Sequence, residues 1–525
     1  MTRKKKWLVG IALVAATVLI GLTVAGLLLK RRFQPYIRQQ AILYLRERFH
    51  SEVELAGLHI SLPRLSLMHW ALTRGRGTLV WVSGEGLVLR HKGRTDILPL
   101  FAIRQFSFAV DVGTLFGKTK VVPMVTVEGL EMNLPPKAER AGFAGEPPSD
   151  EGEDSRTGVL LEEVRIQDAA FVMLPRDRAK KPLRFAIHQV VLQSAGTGVA
   201  MKYDARLTNP SPPGEIHSFG SFGPWQSEEP GDTPLRGDFT FDHADLGVFR
   251  GVAGILTSHG QFEGELNSIT ARGEATVPDF RLKRSGNRVP LHTSFEVLVD
   301  GTNGYTTLKP VVATLGATHF TTSGAVFKNE DDAHRQIQLD VNMPNGRIHD
   351  VLLLAMKGTP FMEGTLRLQT KLALPPLDGK VVQKLRLKGR FQISGGHFLR
   401  STIQDQIDSL SRRGQGQPKN QAIDEVVSLM AGNFQLEDAA ISFDDLTFGV
   451  PGADVSLNGS YNLDEDALDF HGALKLQAKV SQTMSGWKHW LLKPVDPFFA
   501  KHGAGTYLKI KVAGDAKAPK FGLDR

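Results

Sequence analysis

The chain contains no cysteine. That removes disulfide frameworks, thiolate zinc sites and cysteine nucleophiles together, and it permits an oxidising compartment without requiring one. Acidic residues are missing from the first 32 positions, where Arg3, Lys4, Lys5, Lys6, Lys30, Arg31 and Arg32 supply seven of the 63 basic residues. The remaining 56 face 55 acids, so the formal charge of +8 sits almost wholly at the N-terminus and the body balances at +1. A basic face for nucleic acid is therefore not expected, and no nucleic-acid partner is assigned.

Catalytic signatures are scarce too. Neither G-x-S-x-G nor H-E-x-x-H occurs, which leaves two common hydrolytic routes without support. Gly113 to Thr119 (GTLFGKT) resembles a phosphate loop, but only three residues separate its glycines where four are needed, and Val112 stands in the required position. The 16 histidines are scattered; His243, between Asp242 and Asp245, has no second histidine beside it and reads as a solvated turn. Asp464, Glu465, Asp466 and Asp469 crowd another turn without the glycine and distal glutamate of a calcium loop. The expectation is a protein that is not an enzyme, with no catalytic residue, no metal and no cofactor.

The sequence does have one long apolar run. Trp7 to Leu29 is 23 uncharged residues, which as a helix would span roughly 35 Å against a hydrocarbon core of roughly 30 Å. A cleaved signal has a shorter apolar core and a clear small-x-small site, and Thr23-Val24-Ala25 inside the run is a weak one. An uncleaved single-pass anchor is expected. Basic clusters on both sides leave the positive-inside rule nearly balanced, and export of the body is the favoured orientation. Gln34 to Phe49 then carries Ile37, Ala41, Leu45 and Phe49 every four residues, an amphipathic helix suited to the membrane surface or to capping a sheet.

With 53 Gly and 28 Pro in 525 residues, the body suits many short strands. Gln105 to Val112 alternates strictly, Phe106, Phe108, Val110 and Val112 against Gln105, Ser107, Ala109 and Asp111, as in an antiparallel sheet with one apolar face. A parity change recurs: Val53, Leu55, then Leu58, Ile60, Leu62 slip at Ala56-Gly57, and Val125, Val127, then Leu130, Met132, Leu134 slip at Glu128-Gly129. Looser copies occur at Val164, Ile166, Phe171, Met173, at Val277, Phe280, Leu282, and at Phe434, Leu436, Ile441, Phe443. A slip of one residue reverses a strand's faces unless the backbone bends, so these units predict a sheet that curls around its apolar side. Ordinary hairpins and bulges of a β-sandwich are the plainer alternative.

Pro135 to Thr157 is acidic and rich in Pro and Gly, and reads as a disordered loop. Asn209 to Pro234 reads as an ordered loop bearing Phe219, Phe222 and Trp225. Ile403, Ile407, Leu410 and Ile423, Val426, Val427, Met430 predict two short helices. Ser481 to His502, with Trp487, Trp490, Phe498 and Phe499, fits either a membrane interface or packing across the end of a sheet.

Several stretches carry a family resemblance. After the anchor come PYIRQQAILYLRERF, HSEVELAGLHISLP and VTVEGLEMNLP; in the middle, LRGDFTFDHADLGVFRGVAGILTSHGQFEGEL; towards the C-terminus, GNFQLEDAAISFDDLTFGVPGADVSLNGSYNLDEDALDFHG and YLKIKVAGDAKAPKFGL. Together they resemble the AsmA-like family of bacterial envelope proteins, related to TamB and to bridge-like lipid-transfer proteins. The resemblance implies an inner-membrane protein with a periplasmic body, a long bent β-sheet with a hydrophobic groove, and a part in phospholipid transport or outer-membrane homeostasis. The expected organisation is an anchor over 1–32, an AsmA-like helix plus β region over 33–134, a loop over 135–157, a central sheet over 158–390 and an AsmA-like C-terminal region with short helices over 391–525.

The fold class expected is mainly β: a transmembrane helix, then an elongated, curled antiparallel sheet with a few short helices. The groove would be lined by Phe106, Phe108, Val110, Val125, Val127, Leu130, Met132, Phe434, Leu436, Ile441 and Phe443. Inner membrane and phospholipid are the expected partners. The alternative is a scaffold or assembly factor for outer-membrane proteins that pairs its sheet edges with client strands.

Overall fold

The computed structural model describes residues 52–61, 79–90, 98–111, 119–134, 158–174, 182–196, 200–224, 229–328, 335–376, 379–420, 425–483, 505–515 and 519–524, with Arg38, Gln39, Ile42, Leu43, Arg46 and Gln226. The anchor Trp7 to Leu29, the loop 135–157 and most of the aromatic stretch after Ser481 lie outside them. Among the described residues no helix is long and apolar enough to cross a membrane.

The fold is mainly β. Among the described residues twenty-three strands belong to hydrogen-bonded ladders, and a further pair, β10 (Val252–Ala253) and β13 (Arg281–Leu282), forms a separate ribbon. The chain divides into two compact units, residues 1–211 with 215–237, and residues 212–214 with 238–525.

The first unit contains β1 (Val53–Ser61), β2 (Leu79–Leu89), β3 (Phe101–Asp111), β4 (Thr119–Leu134), β5 (Gly158–Met173), β6 (Leu183–Gly196) and β7 (Met201–Pro210). Neighbours in sequence are neighbours in the ladder, all antiparallel except β4 with β5, which run parallel. The predicted loop Asn209 to Pro234 is in part a strand, β8 (Pro213–Phe222). Proline is tolerated at the first position of a strand, so Pro213 opens β8 instead of forbidding it.

The parity slip predicted at Ala56-Gly57 is present. Val53 and Leu55 are buried with Glu54 and Ala56 exposed, and after Gly57 it is Leu58 that is buried with His59 exposed. The slip crosses β1 to β6. Ladder pairing skips Ala56 with Gly86, Gly86 with Arg104, Arg104 with Gly129, Gly129 with Asp168, and Asp168 with His188, and resumes on the far side. Backbone φ is positive at Gly86, Gly129 and Asp168, the left-handed conformation that glycine and aspartate adopt most readily. One transverse kink line thus lets six strands, β1 to β6, swap faces together while keeping their register. Two looser copies have a different origin: Phe280 lies in the turn after β12 (Ser268–Val277), and Leu436 and Ile441 flank a hairpin tip at Asp438-Ala439. A hairpin tip displaces parity as a kink does, and alternation alone does not separate them.

The second unit carries β9 (Pro234–Asp245), β11 (Ile255–Glu265), β14 (Leu291–Val299), β15 (Thr306–Leu315), β16 (Thr318–Phe327) and β17 (Gln336–Arg347). It continues through β18 (Met362–Leu374), β19 (Arg386–Phe398), β20 (Ser428–Glu437), β21 (Ala440–Val450) and β22 (Ala453–Asn462) to β23 (Ala467–Leu476), β24 (Thr506–Asp515) and β25 (Lys520–Leu523). From β11 to β25, with β13 set aside, each strand pairs antiparallel with the next.

Among the described residues three short α-helices, α1 (Ile348–Ala355), α2 (Val381–Lys384) and α3 (Ser401–Gly414), punctuate it. α1 lays Ile348 on Met343, Met362, Leu366 and Ile393. Its buried Asp350 accepts hydrogen bonds from Thr318 Oγ1 at 2.7 Å and the Ala317 N–H at 3.1 Å, tying the helix to the β15–β16 turn. α3 is the helix expected from Ile403, Ile407 and Leu410; Ile407 and Leu410 pack on Val426, Val450, Ala453 and Leu476. Asp408, also buried, accepts from the Glu425 and Val426 N–H groups at 3.0 and 2.9 Å.

The second predicted helix does not form. Val426 precedes β20, and Met430 lies within it. There Ser428, Met430, Gly432, Phe434 and Leu436 follow a two-residue period, and strand pairing overrides the brief three-and-four spacing.

Candidate functional site

The first unit presents a continuous apolar face, built by register. Residues opposite one another in a ladder project to the same side of the sheet. Following the pairs across β1 to β7 gives one row of Leu58, Gly84, Phe106, Val127, Ile166, Val190 and Ala205. The adjacent row is Ile60, Val82, Phe108, Val125, Val164, Leu192 and Tyr203. Seven strands at about 4.8 Å make each row on the order of 30 Å long.

Beyond the kink line the same side carries Leu55, Leu87, Ile103 and Leu130, then Val53, Leu89, Phe101 and Met132. That end is partly covered: Ile42 packs against Val53, Leu89 and Leu100, and the Arg38 guanidinium donates to the Leu55 carbonyl. Helical Arg38, Gln39, Ile42, Leu43 and Arg46 thus lie in the expected amphipathic segment, whose stripe Ile37, Ala41, Leu45 and Phe49 lies outside the described residues.

Most side chains of the two long rows, Phe106, Phe108, Val125, Val127, Ile166, Val190 and Leu192 among them, are half-buried instead of buried. Among the described elements each strand of this unit meets chiefly its ladder neighbours. The rings of Phe106 and Phe108 stack at 6.3 Å and 7°. Gly84 makes room for them: a Cβ there would stand 2.3 Å from Phe106 Cζ.

The opposite face is polar. Gly57, Glu85, Gln105, Glu128, Gln167, Gln189 and Arg206 run across it in one row. At the kink Arg104 donates to Glu128 at 2.8 Å and Asp168 at 3.1 Å, and these two carboxylates, Glu128 foremost, push its guanidinium further towards the charged form.

Of the residues expected to line a groove, Phe106, Phe108, Val125, Val127, Leu130 and Met132 come together on this face; Val110 is in β3, opposite Val80. Phe434, Leu436, Ile441 and Phe443 belong to the second unit, where Phe434 stands opposite Phe443 and Leu436 opposite Ile441. They join an aromatic row in which Phe391 meets Phe434 at 6.2 Å and Phe443 at 6.1 Å, and Phe443 meets Phe470 at 6.0 Å.

The sequence reading missed Leu58, Ile60, Val82, Val190 and Leu192 as members of the rows, and Phe391 and Phe470 in the second unit. Alternation marks each as apolar-facing; only register shows which residues stand side by side.

Among the described residues no group of His, Asp or Glu is arranged to hold a metal. The acids at 464–466 sit at the tip of the β22–β23 hairpin, where Asn462 Oδ1 accepts the N–H groups of Asp464 and Glu465. Comparison with protein-family models, with curated proteins and with solved structures finds no match for the chain.

Proposed function

We propose that the chain is a single-pass inner-membrane protein, anchored by Trp7 to Leu29, whose periplasmic body binds the acyl chains of phospholipid in a curled, groove-like sheet and supports lipid transport or outer-membrane homeostasis. The observation that carries this reading is the pair of adjacent apolar rows crossing seven strands, most of whose side chains stay only half-buried. Contiguous apolar surface of that extent is unusual on a soluble monomer and calls for an apolar occupant. Each methylene moved out of water onto such a surface contributes about 0.8 kcal/mol, so ten carbons offset roughly 8 kcal/mol of the cost of leaving a bilayer. The kink line supports a curl, since it keeps one apolar side through a reversal of strand faces. Transfer along such a face needs positioning and not bond chemistry, and the protein is proposed as a carrier or conduit, not an enzyme. The resemblance to AsmA-like proteins points the same way.

The test uses the full chain in bacterial membranes with a phospholipid bearing a photoactivatable group on its acyl chain. Crosslinked peptides from β3 to β6 are expected in the wild type. They should be lost in the double variant Phe108→Asp, Val127→Asp while crosslinks to the 7–29 segment persist. Crosslinks confined to 7–29 in both proteins would sink the lipid-face reading, and crosslinks from β3 to β6 to other polypeptides would favour an assembly factor for outer-membrane proteins.

A further inference from the structure

In the second unit, β18 and β19 turn a polar face away from the Met343, Met362, Leu366 and Ile393 core. On it Arg367 stands opposite Gln392, Gln369 opposite Arg390, and Lys371 opposite Lys388. Beside them the β20–β21 ladder shifts register between Ala431 and Phe434. A concavity of about 460 Å³ lies here, lined by Arg367, Gln369, Arg390, Gln392, Asn433 and Asp445, with Gly432 also in its lining.

The charges around it divide into two kinds. Arg386 is paired with Glu437 at 3.2 Å, and Lys371 lies 3.9 Å from Asp340. The acid in the concavity, Asp445, is occupied by Asn433, whose N–H donates at 3.1 Å and whose Nδ2 donates at 2.9 and 3.0 Å. Arg367 and Arg390 have no carboxylate partner among the described residues. The Arg390 Nε and Nη2 both donate to Gln369 Oε1, at 2.9 and 2.6 Å. That fixes the guanidinium plane and leaves Nη1 directed to no protein acceptor.

Arg367 is the diagonal neighbour of Arg390 across the ladder, on the order of 7 Å away or somewhat less at Cβ. Two long guanidinium side chains at that spacing can close on one tetrahedral anion, and the planar fork of arginine matches phosphate oxygens two at a time. Asparagine and glutamine amides around them supply neutral donors. We propose that this concavity binds a phosphate group, either free or carried as the headgroup of a phospholipid. The site is on the polar side of the second unit and stands independently of acyl-chain binding in the first.

The test titrates the full chain, in a neutral detergent, separately with inorganic phosphate and with short-chain dihexanoyl phosphatidic acid, reading affinity by calorimetry and by ³¹P line broadening. Three proteins are compared: wild type, Arg367→Gln with Arg390→Gln, and Arg386→Gln as a control whose arginine is already paired. Affinity should fall at least tenfold in the double variant and stay unchanged in the control. Loss of inorganic phosphate binding assigns the site to free phosphate; binding of the short-chain lipid alone, lost in the same variant, assigns it to a headgroup. If neither probe binds the wild type, or both bind the double variant as well, the proposal fails. Should circular dichroism show the double variant misfolded, Arg367→Gln alone replaces it, since Arg367 holds no described side-chain partner.

Discussion

Tyr461 shows how a single half-buried contact shapes the pH response. Burial, and then the hydrogen bond its hydroxyl donates to Asp466 at 2.7 Å, push its phenol up to about 12. The fold therefore favours the protonated phenol over the ordinary value near 10. A group raised in the folded state stabilises fully below its unfolded value, and that contribution is lost as pH climbs towards the folded one. Stability should fall between about pH 10 and 12. Urea denaturation across that window should show a shallower fall for Tyr461→Phe than for the wild type; identical slopes would count against this tyrosine as the source.

At the scale of elements, the kink line is the feature that sequence parity revealed most directly. The slips at Ala56-Gly57 and Glu128-Gly129 were legible because apolar residues flank each with unbroken alternation, and because a glycine stands at each, with φ positive at Gly129. Asp168 was harder to see, since its neighbours Ala169 and Ala170 blur the change of face. The partners of each strand were not legible at all: parity says which side a residue faces, while pairing depends on contacts between segments far apart in the chain. The helix expected at Ile423 to Met430 failed for the related reason that a short apolar cluster satisfies two periods, and the neighbouring strands β19 and β21 decide between them. Gly129 gives the line a direct test. Its φ is +67°, and a Cβ there would meet Arg104 Cβ at 2.8 Å. Gly129→Val should cost about 2–3 kcal/mol through left-handed strain and crowding together. Gly286→Ala, at φ +80° with open space around it, should cost only the backbone share, about 1 kcal/mol. Urea denaturation compares the two, and equal costs would mean that contact across the kink contributes nothing.

At the scale of the whole molecule, nearly every strand can be reached from its predecessor by a short turn, because antiparallel partners leave the chain end beside the next start. The parallel pair β4 and β5 breaks that economy. Thr119 pairs with Gly158 and Leu134 with Met173, so the chain leaving Leu134 has to return along the full strand before β5 begins. Fifteen steps of extended backbone at about 3.3 Å make that journey roughly 50 Å. The 23 intervening residues reach at most about 80 Å when fully extended, so about 15 of them are the minimum. Deleting six residues from 137–155 should leave the melting temperature nearly unchanged, whereas deleting twelve should lower it sharply or prevent folding. Reshuffling their order should do neither. The acidic, proline-rich stretch that tells least about chemistry is then held to a minimum length by the strands on either side of it, whatever the order of its residues.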